Sequence, residues 1–122
     1  MLTRLLDQKT HTLEEIQVGQ SAEFDLRIDE QEVQAFAELS GDFSSLHMDP
    51  EAARRSRFRE RVVHGMLPMT ALSALVGMAL PGRNAILLSV EVSFGAPVRL
   101  GDRLRVSGRS VESRSCRCDW YM

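Results

Sequence analysis

A run of apolar residues from Gly65 to Leu80 constrains the fold of this chain more than any other feature. Hydrophobic side chains lie around most of the circumference of the helix that this run would form. A helix that is apolar nearly all round is buried, and this one is shorter than the roughly 20 residues of a membrane span. Pro68 falls in its first turn, where a missing N–H costs little. We therefore expect a core helix that ends at Pro81.

Strand patterns lie on both sides of this helix in the sequence. Apolar residues alternate with polar ones over residues 22–28, again over residues 86–94, and again from Leu104 onward. Such a period of two is typical of half-buried strands. Residues 117–122 are expected to start a further strand. One long buried helix with an antiparallel sheet is an α+β layout.

Two shorter helices are predicted before the core helix. Asp29 is a plausible N-cap with Glu32 three residues on, as in a capping box, and Gly41 can end that helix in the left-handed conformation. Asp49 precedes a second short helix that has proline at its first position. Residues 42–48, between the two helices, are predicted to be irregular.

The length and composition allow one domain. With 122 residues, 43% of them hydrophobic and 26% charged, the chain matches an ordinary globular domain. We expect a leader over residues 1–13 and a single domain over residues 14–122. The N-terminus has no apolar signal segment, and two thiols, Cys116 and Cys118, suit a reducing compartment. The sequence thus predicts a cytoplasmic protein without a membrane span.

The charge is distributed unevenly. Residues 1–51 hold 12 acids and 3 bases, whereas residues 52–122 hold 5 acids and 12 bases. The second part could therefore meet a polyanionic ligand. Nucleic acid is a poor candidate, because the chain is acidic overall and its basic stretch has one aromatic residue, Phe58, for stacking.

Two short segments carry the residue types of a catalytic site. Asp42 and His47 stand five residues apart between two predicted helices, and such a pair can act as general acid and base near neutral pH. Gly65 opens the core helix, where a ligand can approach the backbone closely. The first N–H groups of a helix carry partial positive charge and can hold a developing oxyanion.

These segments resemble the MaoC-like hot-dog hydratases, and in particular the R-specific enoyl-CoA hydratases. The matching stretches are Ser40-Gly41-Asp42 with His47, Phe58, Val63-His64-Gly65-Met66, and residues 16–20, 94–98 and 101–102. They keep the order and spacing of the family over residues 14–112. The resemblance implies a hot-dog fold, in which a curved antiparallel sheet wraps a long central helix, and a homodimer.

The resemblance also implies roles for single residues. Asp42 and His47 match the family's catalytic pair, which activates or receives water, and the N–H of Gly65 matches the group that polarises the thioester carbonyl. Candidate substrate-binding residues are Ser44, His64 and Met66. For His64 a packed position at the helix start is the alternative interpretation, and for Met66 it is a place in the core.

The implied reaction is reversible hydration of a trans-2-enoyl-CoA to an (R)-3-hydroxyacyl-CoA, as in fatty acid metabolism. It needs no metal or redox cofactor; coenzyme A or phosphopantetheine enters as part of the substrate. One alternative is a dehydratase for acyl chains on a carrier protein. A second is a non-catalytic module that binds acyl thioesters. Thioester hydrolysis fits the Asp-x4-His spacing less well.

A cluster of arginines does not decide whether the acyl group is carried by coenzyme A or by a carrier protein. It could meet the phosphates of coenzyme A or of a carrier protein's arm, or it could form a solvated face paired with Glu51 or Glu60. Its members are Arg54, Arg55, Arg57, Arg59 and Arg61.

Three positions depart from the family pattern. Ser45 and Arg61 stand where the family commonly has proline, and residues 116–121 do not match the relatives' continuation. We therefore expect the last strand of the sheet to be missing or atypical, which would leave an open edge.

Overall fold

The computed structural model describes residues 7–112 and 117–121, and side chains up to residue 111. Its helices are a 3-10 turn at Leu13–Glu15, α1 at Glu30–Ser40, α2 at Ser45–Met48, α3 at Pro50–Arg55 and α4 at Met66–Met78. Its strands are β1 at Ser21–Arg27, β2 at Arg103–Glu112 and β3 at Arg117–Tyr121. The predicted α+β class is confirmed.

The three strands form one sheet in the order β1-β2-β3. β2 and β3 are antiparallel, with Ser107 opposite Tyr121 and an irregularity in the register between Ser110 and Glu112. On the other side of β2, the carbonyl of Ser110 accepts a hydrogen bond from the Gly19 N–H at 2.7 Å. The strand predicted near residues 117–122 is thus present as β3, while residues 113–116 and 122 lie outside the described part of the chain.

The described residues divide into two compact units. The first comprises residues 27–69 and 92–103, and the second residues 7–26, 70–91, 104–112 and 117–121. The first unit buries the side chains of Ile28, Val33, Ala37, Ala53, Val62, Val63, His64 and Leu67. The second buries those of Ile16, Leu26, Ala71, Leu72, Leu75, Ala79, Leu80 and Val106. The domain boundary expected at residue 14 stays a prediction.

Helix α1 begins and ends as its sequence predicts. The Glu32 carboxylate accepts a hydrogen bond from the Asp29 N–H at 3.0 Å, which closes the expected capping contact. Gly41 has a φ of 76° and donates its N–H to the Ala37 carbonyl at 2.8 Å. A left-handed residue at this point is favourable for glycine, because glycine has no Cβ to clash.

Helix α4 matches the predicted core helix in its position but not in complete burial. Leu67, Leu72 and Leu75 are buried, whereas Met66 is 57% exposed. Thr70, Ser73 and Ala74 are exposed as well. The helix thus buries one broad face, and the expectation of burial all round is wrong, as is a core position for Met66.

The predicted strand over residues 86–94 is absent from the described structure. Residues 85–95 form neither helix nor strand and pair with no described strand. Their apolar side chains are exposed, with Ile86 at 83%, Leu88 at 92% and Phe94 at 60%. Alternation indicates that a segment can lie in a sheet, but it does not specify a neighbouring strand. A strand needs such a neighbour to form its backbone hydrogen bonds.

Residues 8–10, which the sequence assigns to a leader, are fixed to the turn after α4. Lys9 donates its N–H to the Met78 carbonyl at 2.8 Å and accepts from the Arg83 N–H at 3.0 Å. Thr10 forms a β-bridge with Gly82. Gly82 has a φ of 93°, and a Cβ there would collide with the Lys9 carbonyl. Glycine is therefore favoured at position 82 for two reasons, the positive φ and the close approach of the Lys9 carbonyl.

Candidate active site

Asp42 lies directly after the glycine that ends α1, with an exposed side chain. Its N–H donates to the Ser40 hydroxyl at 3.2 Å, and its Oδ1 accepts from the Ser44 N–H at 3.1 Å. Short polar side chains hold such turns through bonds to nearby backbone. The Ser44 N–H therefore orients the carboxylate of Asp42. The other carboxylate oxygen, Oδ2, stays available to a ligand.

His47 lies on α2, so the prediction that residues 42–48 are irregular is wrong for residues 45–48. Ser44 is the N-cap of this short helix, and its carbonyl accepts from the His47 N–H at 2.9 Å. The ring Nδ1 of His47 lies 2.8 Å from the Val62 carbonyl. A carbonyl can only accept, so Nδ1 carries the proton and Nε2 keeps its lone pair. In this tautomer His47 can act as a base through Nε2.

Arg61 holds the backbone of His47 in place. Its Nε donates to the His47 carbonyl at 2.6 Å, and its two terminal nitrogens donate to the Glu30 carboxylate at 2.8 and 2.9 Å. Only 14% of its side chain is exposed. Arg61 thus pairs with Glu30 and not with the Glu51 or Glu60 expected of the arginine cluster, and its phosphate-binding role stays a prediction.

Arg54 and Arg57, two further members of the arginine cluster, lie at the surface. Arg54 pairs with Glu51 at 3.0 Å, as one of the two interpretations predicts. Arg57 lies over the ring of Phe58, 4.7 Å from its centroid. Glu60 pairs with Arg99, a residue outside the arginine cluster. Arg54 and Arg57 thus stay accessible to an anion.

His64 is 2% exposed, and its ring packs against that of His47. Its Nε2 lies 2.9 Å from the Asp42 carbonyl, so that nitrogen is the protonated donor. Its ring centroid is 4.2 Å from that of His47 and 5.0 Å from that of Phe36. The buried Nδ1 has no hydrogen-bond partner among the described residues. The expected packed position is observed, and contact between His64 and substrate stays a prediction.

The turn after α1, helix α2 and the segment before α4 bring three ligating groups together. The carboxylate of Asp42 and one ring nitrogen each of His47 and His64 lie within 4.8 Å of one another. Asp42 is exposed and His47 half-buried. The predicted acid–base pair is therefore close in space, at a position that solvent can reach from the Asp42 side.

Gly65 stands at the start of α4, beside His64. A Cβ at this position would come within 3.3 Å of the Phe94 ring, so glycine allows that ring to lie against the backbone. Within the described residues, no acceptor of the chain is bonded to the Gly65 N–H. This group can therefore donate to a ligand, and Phe94 borders the approach to it. Met66, next along the chain, is accessible to a ligand as well.

The sequence pointed to the carboxylate and the imidazole that the structure brings together, but not to the distant residues that hold them. It named Asp42, His47 and Ser44, which lie within six residues of one another. It gave no role to Glu30 and expected phosphate binding or a solvated face for Arg61, because a contact across 31 residues leaves no local pattern. Phe94 was placed on a strand, with no signal that its ring meets Gly65.

The MaoC like domain family matches residues 11–119. An (R)-specific enoyl-CoA hydratase of Aeromonas caviae is 44% identical over 89 residues, which is 73% of this chain and 66% of the relative. A mitochondrial 3-hydroxyacyl-[acyl-carrier-protein] dehydratase of Arabidopsis thaliana is 38% identical over 74 residues, 61% of this chain and 43% of that protein.

A solved structure has the same fold. The R-hydratase PhaJ1 of Pseudomonas aeruginosa, in its unliganded form, superposes with a TM-score of 0.78 and 40% identity, over 82% of this chain and 64% of that one. The fold is thus α+β and of the hot-dog type, and the chain belongs to the MaoC-like family. Its matches span less than two thirds of the length of the relatives named here. No helix among the described residues has the length and apolar character of a membrane span.

Proposed function

We propose that this chain is a hydro-lyase that reversibly hydrates trans-2-enoyl-CoA to (R)-3-hydroxyacyl-CoA. The observation that carries the proposal is the pairing of the Asp42 carboxylate with a His47 whose Nδ1–H is held by the Val62 carbonyl. This arrangement leaves one carboxylate oxygen and one imidazole nitrogen for a water molecule. The R configuration follows the (R)-specific hydratase to which the chain is similar.

The proposed mechanism uses the chain's own groups. The thioester carbonyl accepts a hydrogen bond from the Gly65 N–H, which withdraws electrons from C3 of the enoyl group. Water held by Asp42 and His47 adds its oxygen to C3, and one proton of that water passes through the pair to C2. Bond formation and proton transfer balance without a metal or redox cofactor. Coenzyme A takes part only as the carrier of the acyl group.

Turnover of crotonyl-CoA tests the proposal. Hydration removes the conjugated double bond, so the absorbance of the enoyl thioester falls as product forms. Asp42→Asn and His47→Gln should each lower kcat by about 100-fold or more, the usual size of a general acid–base contribution. His11→Gln, the third histidine of the chain, is the matched control and should leave kcat unchanged.

Circular dichroism of the same variants must show native folding, because only then does a lost rate report chemistry. Near-native hydration by either variant would remove that residue from the mechanism. Tight binding of crotonyl-CoA by the unaltered protein without hydration would favour the non-catalytic acyl-thioester-binding module.

A carrier-protein dehydratase is the second candidate. It is favoured by the similarity to the Arabidopsis dehydratase and by Arg54 and Arg57, whose exposed guanidinium groups suit an acidic carrier protein. Comparing kcat/KM for crotonyl-CoA with that for the same acyl group on a carrier protein separates the two. A clear preference for the carrier-bound substrate would replace coenzyme A in the proposal.

We further propose a cytoplasmic homodimer. The exposed apolar side chains of residues 86–94 support the dimer, since a monomer would leave them in water. The two thiols, Cys116 and Cys118, support a reducing compartment.

A further inference from the structure

We propose that Asp42, His47 and His64 form a binding site for a divalent transition-metal ion, with zinc as the fitting member, and that the ion inhibits hydration. The inhibition rests on the proposed function, whereas the binding does not. Two imidazoles and one carboxylate are a donor set that zinc takes in proteins, commonly with a fourth position left to water. The three groups already lie together in the structure.

Both imidazoles present an unprotonated nitrogen. His47 gives its Nδ1–H to the Val62 carbonyl at 2.8 Å, and His64 gives its Nε2–H to the Asp42 carbonyl at 2.9 Å. Zinc-bound histidines typically donate the other ring N–H to such an acceptor, which fixes the tautomer and raises the basicity of the ligating nitrogen. Here both rings have this support before any ion binds.

The Nδ1 of His64 supplies an independent reason to expect a ligand. It is buried and has no hydrogen-bond partner within the described residues. A buried acceptor without a partner destabilises the folded chain. Because Nε2 carries the ring proton, Nδ1 offers a bare lone pair that a metal ion can use. An ion bound there would give this buried nitrogen a partner.

The spacing requires a small contraction. Ligand atoms of a tetrahedral zinc ion at bond lengths of about 2.0–2.1 Å lie roughly 3.4 Å apart, and the three groups lie within 4.8 Å. The Asp42 side chain is exposed, so it can rotate toward the rings. Its Oδ1 is held by the Ser44 N–H, and its other oxygen can turn to the ion.

Occupancy would stop the proposed chemistry. The ion takes the His47 nitrogen that would accept a proton and the carboxylate oxygen that would hold water. Hydration should therefore be inhibited by micromolar zinc and restored by a chelator.

The test is zinc binding alone, by competition with a chromogenic chelator. The starting protein carries Cys116→Ser and Cys118→Ser, because the chain's only thiols would bind zinc themselves. In this background we expect one zinc ion per chain. Asp42→Asn and His64→Gln should each weaken binding about 10-fold or more, and His11→Gln should leave it unchanged. Asp42 is exposed, so its variant keeps the test valid even where the buried His64 variant does not fold.

The outcomes separate this inference from the proposed function. Zinc binding that depends on Asp42, in a protein that does not hydrate crotonyl-CoA, supports the metal site and contradicts the function. Hydration with no zinc binding, or with binding that Asp42→Asn leaves unchanged, contradicts the metal site and leaves the function standing.

Discussion

His47 and His64 differ in their exposure to solvent, and this difference decides what each side chain can do. His47 is half-buried with one ring nitrogen directed to a carbonyl, whereas His64 is enclosed between His47 and Phe36. The first can exchange protons with a substrate that arrives from solvent. The second fixes the carbonyl of Asp42 and thereby the turn that presents the carboxylate.

Arg61 should act as a positioning residue for His47. Arg61→Met removes a charged donor from the His47 carbonyl and from Glu30, and charged hydrogen bonds contribute about 1.5–3 kcal/mol. We expect a fall in Tm of several degrees, together with a lower kcat and a nearly unchanged KM in hydration of crotonyl-CoA. Tm is measured by calorimetry. Arg55→Met, at an exposed site, is the control for Tm; equal Tm values for the two variants would contradict the role.

Glycine at position 65 leaves room for the Phe94 ring and leaves the Gly65 N–H accessible to a ligand. A double variant separates these two effects. Gly65→Ala brings a Cβ within 3.3 Å of the Phe94 ring, and the same methyl group would obstruct a thioester carbonyl that approaches the Gly65 N–H. We expect kcat/KM to fall about 100-fold or more, the usual effect of losing one oxyanion donor. Adding Phe94→Ala should not restore it. Full restoration in the double variant, measured by steady-state kinetics, would show that glycine serves only the ring.

The closeness of Asp42 and His47 could be predicted at this scale because they are near each other in sequence and their side-chain chemistry is distinctive. Ser44 was identified for the same reason. Glu30 and Arg61 could not be placed, because an ion pair between distant positions depends on how the chain folds back on itself. The partners predicted for the arginine cluster, Glu51 and Glu60, are simply the acids nearest to it in the sequence.

At the scale of elements, the ends of helix α1 could be predicted from the sequence, but the strands that pair with one another could not. Asp29, Glu32 and Gly41 determine the ends of α1 through bonds across a few residues, and the structure has them as expected. The alternation over residues 86–94 is equally clear, yet no strand forms among the described residues, since pairing depends on a second strand. Patterns thus indicate which surface a segment can bury, while its partner is decided by the whole fold.

Gly82 and Gly77 make a matched pair for testing the turn after α4. Gly82→Ala places a Cβ against the Lys9 carbonyl and forces a φ of 93° on alanine. Gly77→Ala, inside the helix, meets nothing within 4 Å. We expect Gly82→Ala to lower the free energy of unfolding by more than 1 kcal/mol. Gly77→Ala should raise it by about 0.5–1 kcal/mol. Urea denaturation measures both, and equal effects would refute the assigned contact.

At the scale of the whole molecule, the exposed apolar side chains of residues 86–94 should determine the state of association. Large exposed apolar patches on a soluble chain mark sites of contact with another protein. We expect light scattering at micromolar concentration to give about twice the 13.7 kDa of one chain. Ile86→Asp with Leu88→Asp should shift the protein toward monomer. A stable monomer before substitution would contradict the proposed dimer.

The contacts that build the site span short lengths of chain. His47 reaches Val62 across 15 residues, His64 reaches Asp42 across 22, and Arg61 reaches Glu30 across 31. In the second unit Asp25 meets Arg105 across 80. Closing a shorter loop costs less chain entropy, and local contacts form sooner. The reactive groups should thus assemble early as the polypeptide folds, before the sheet that makes up much of the second unit has closed.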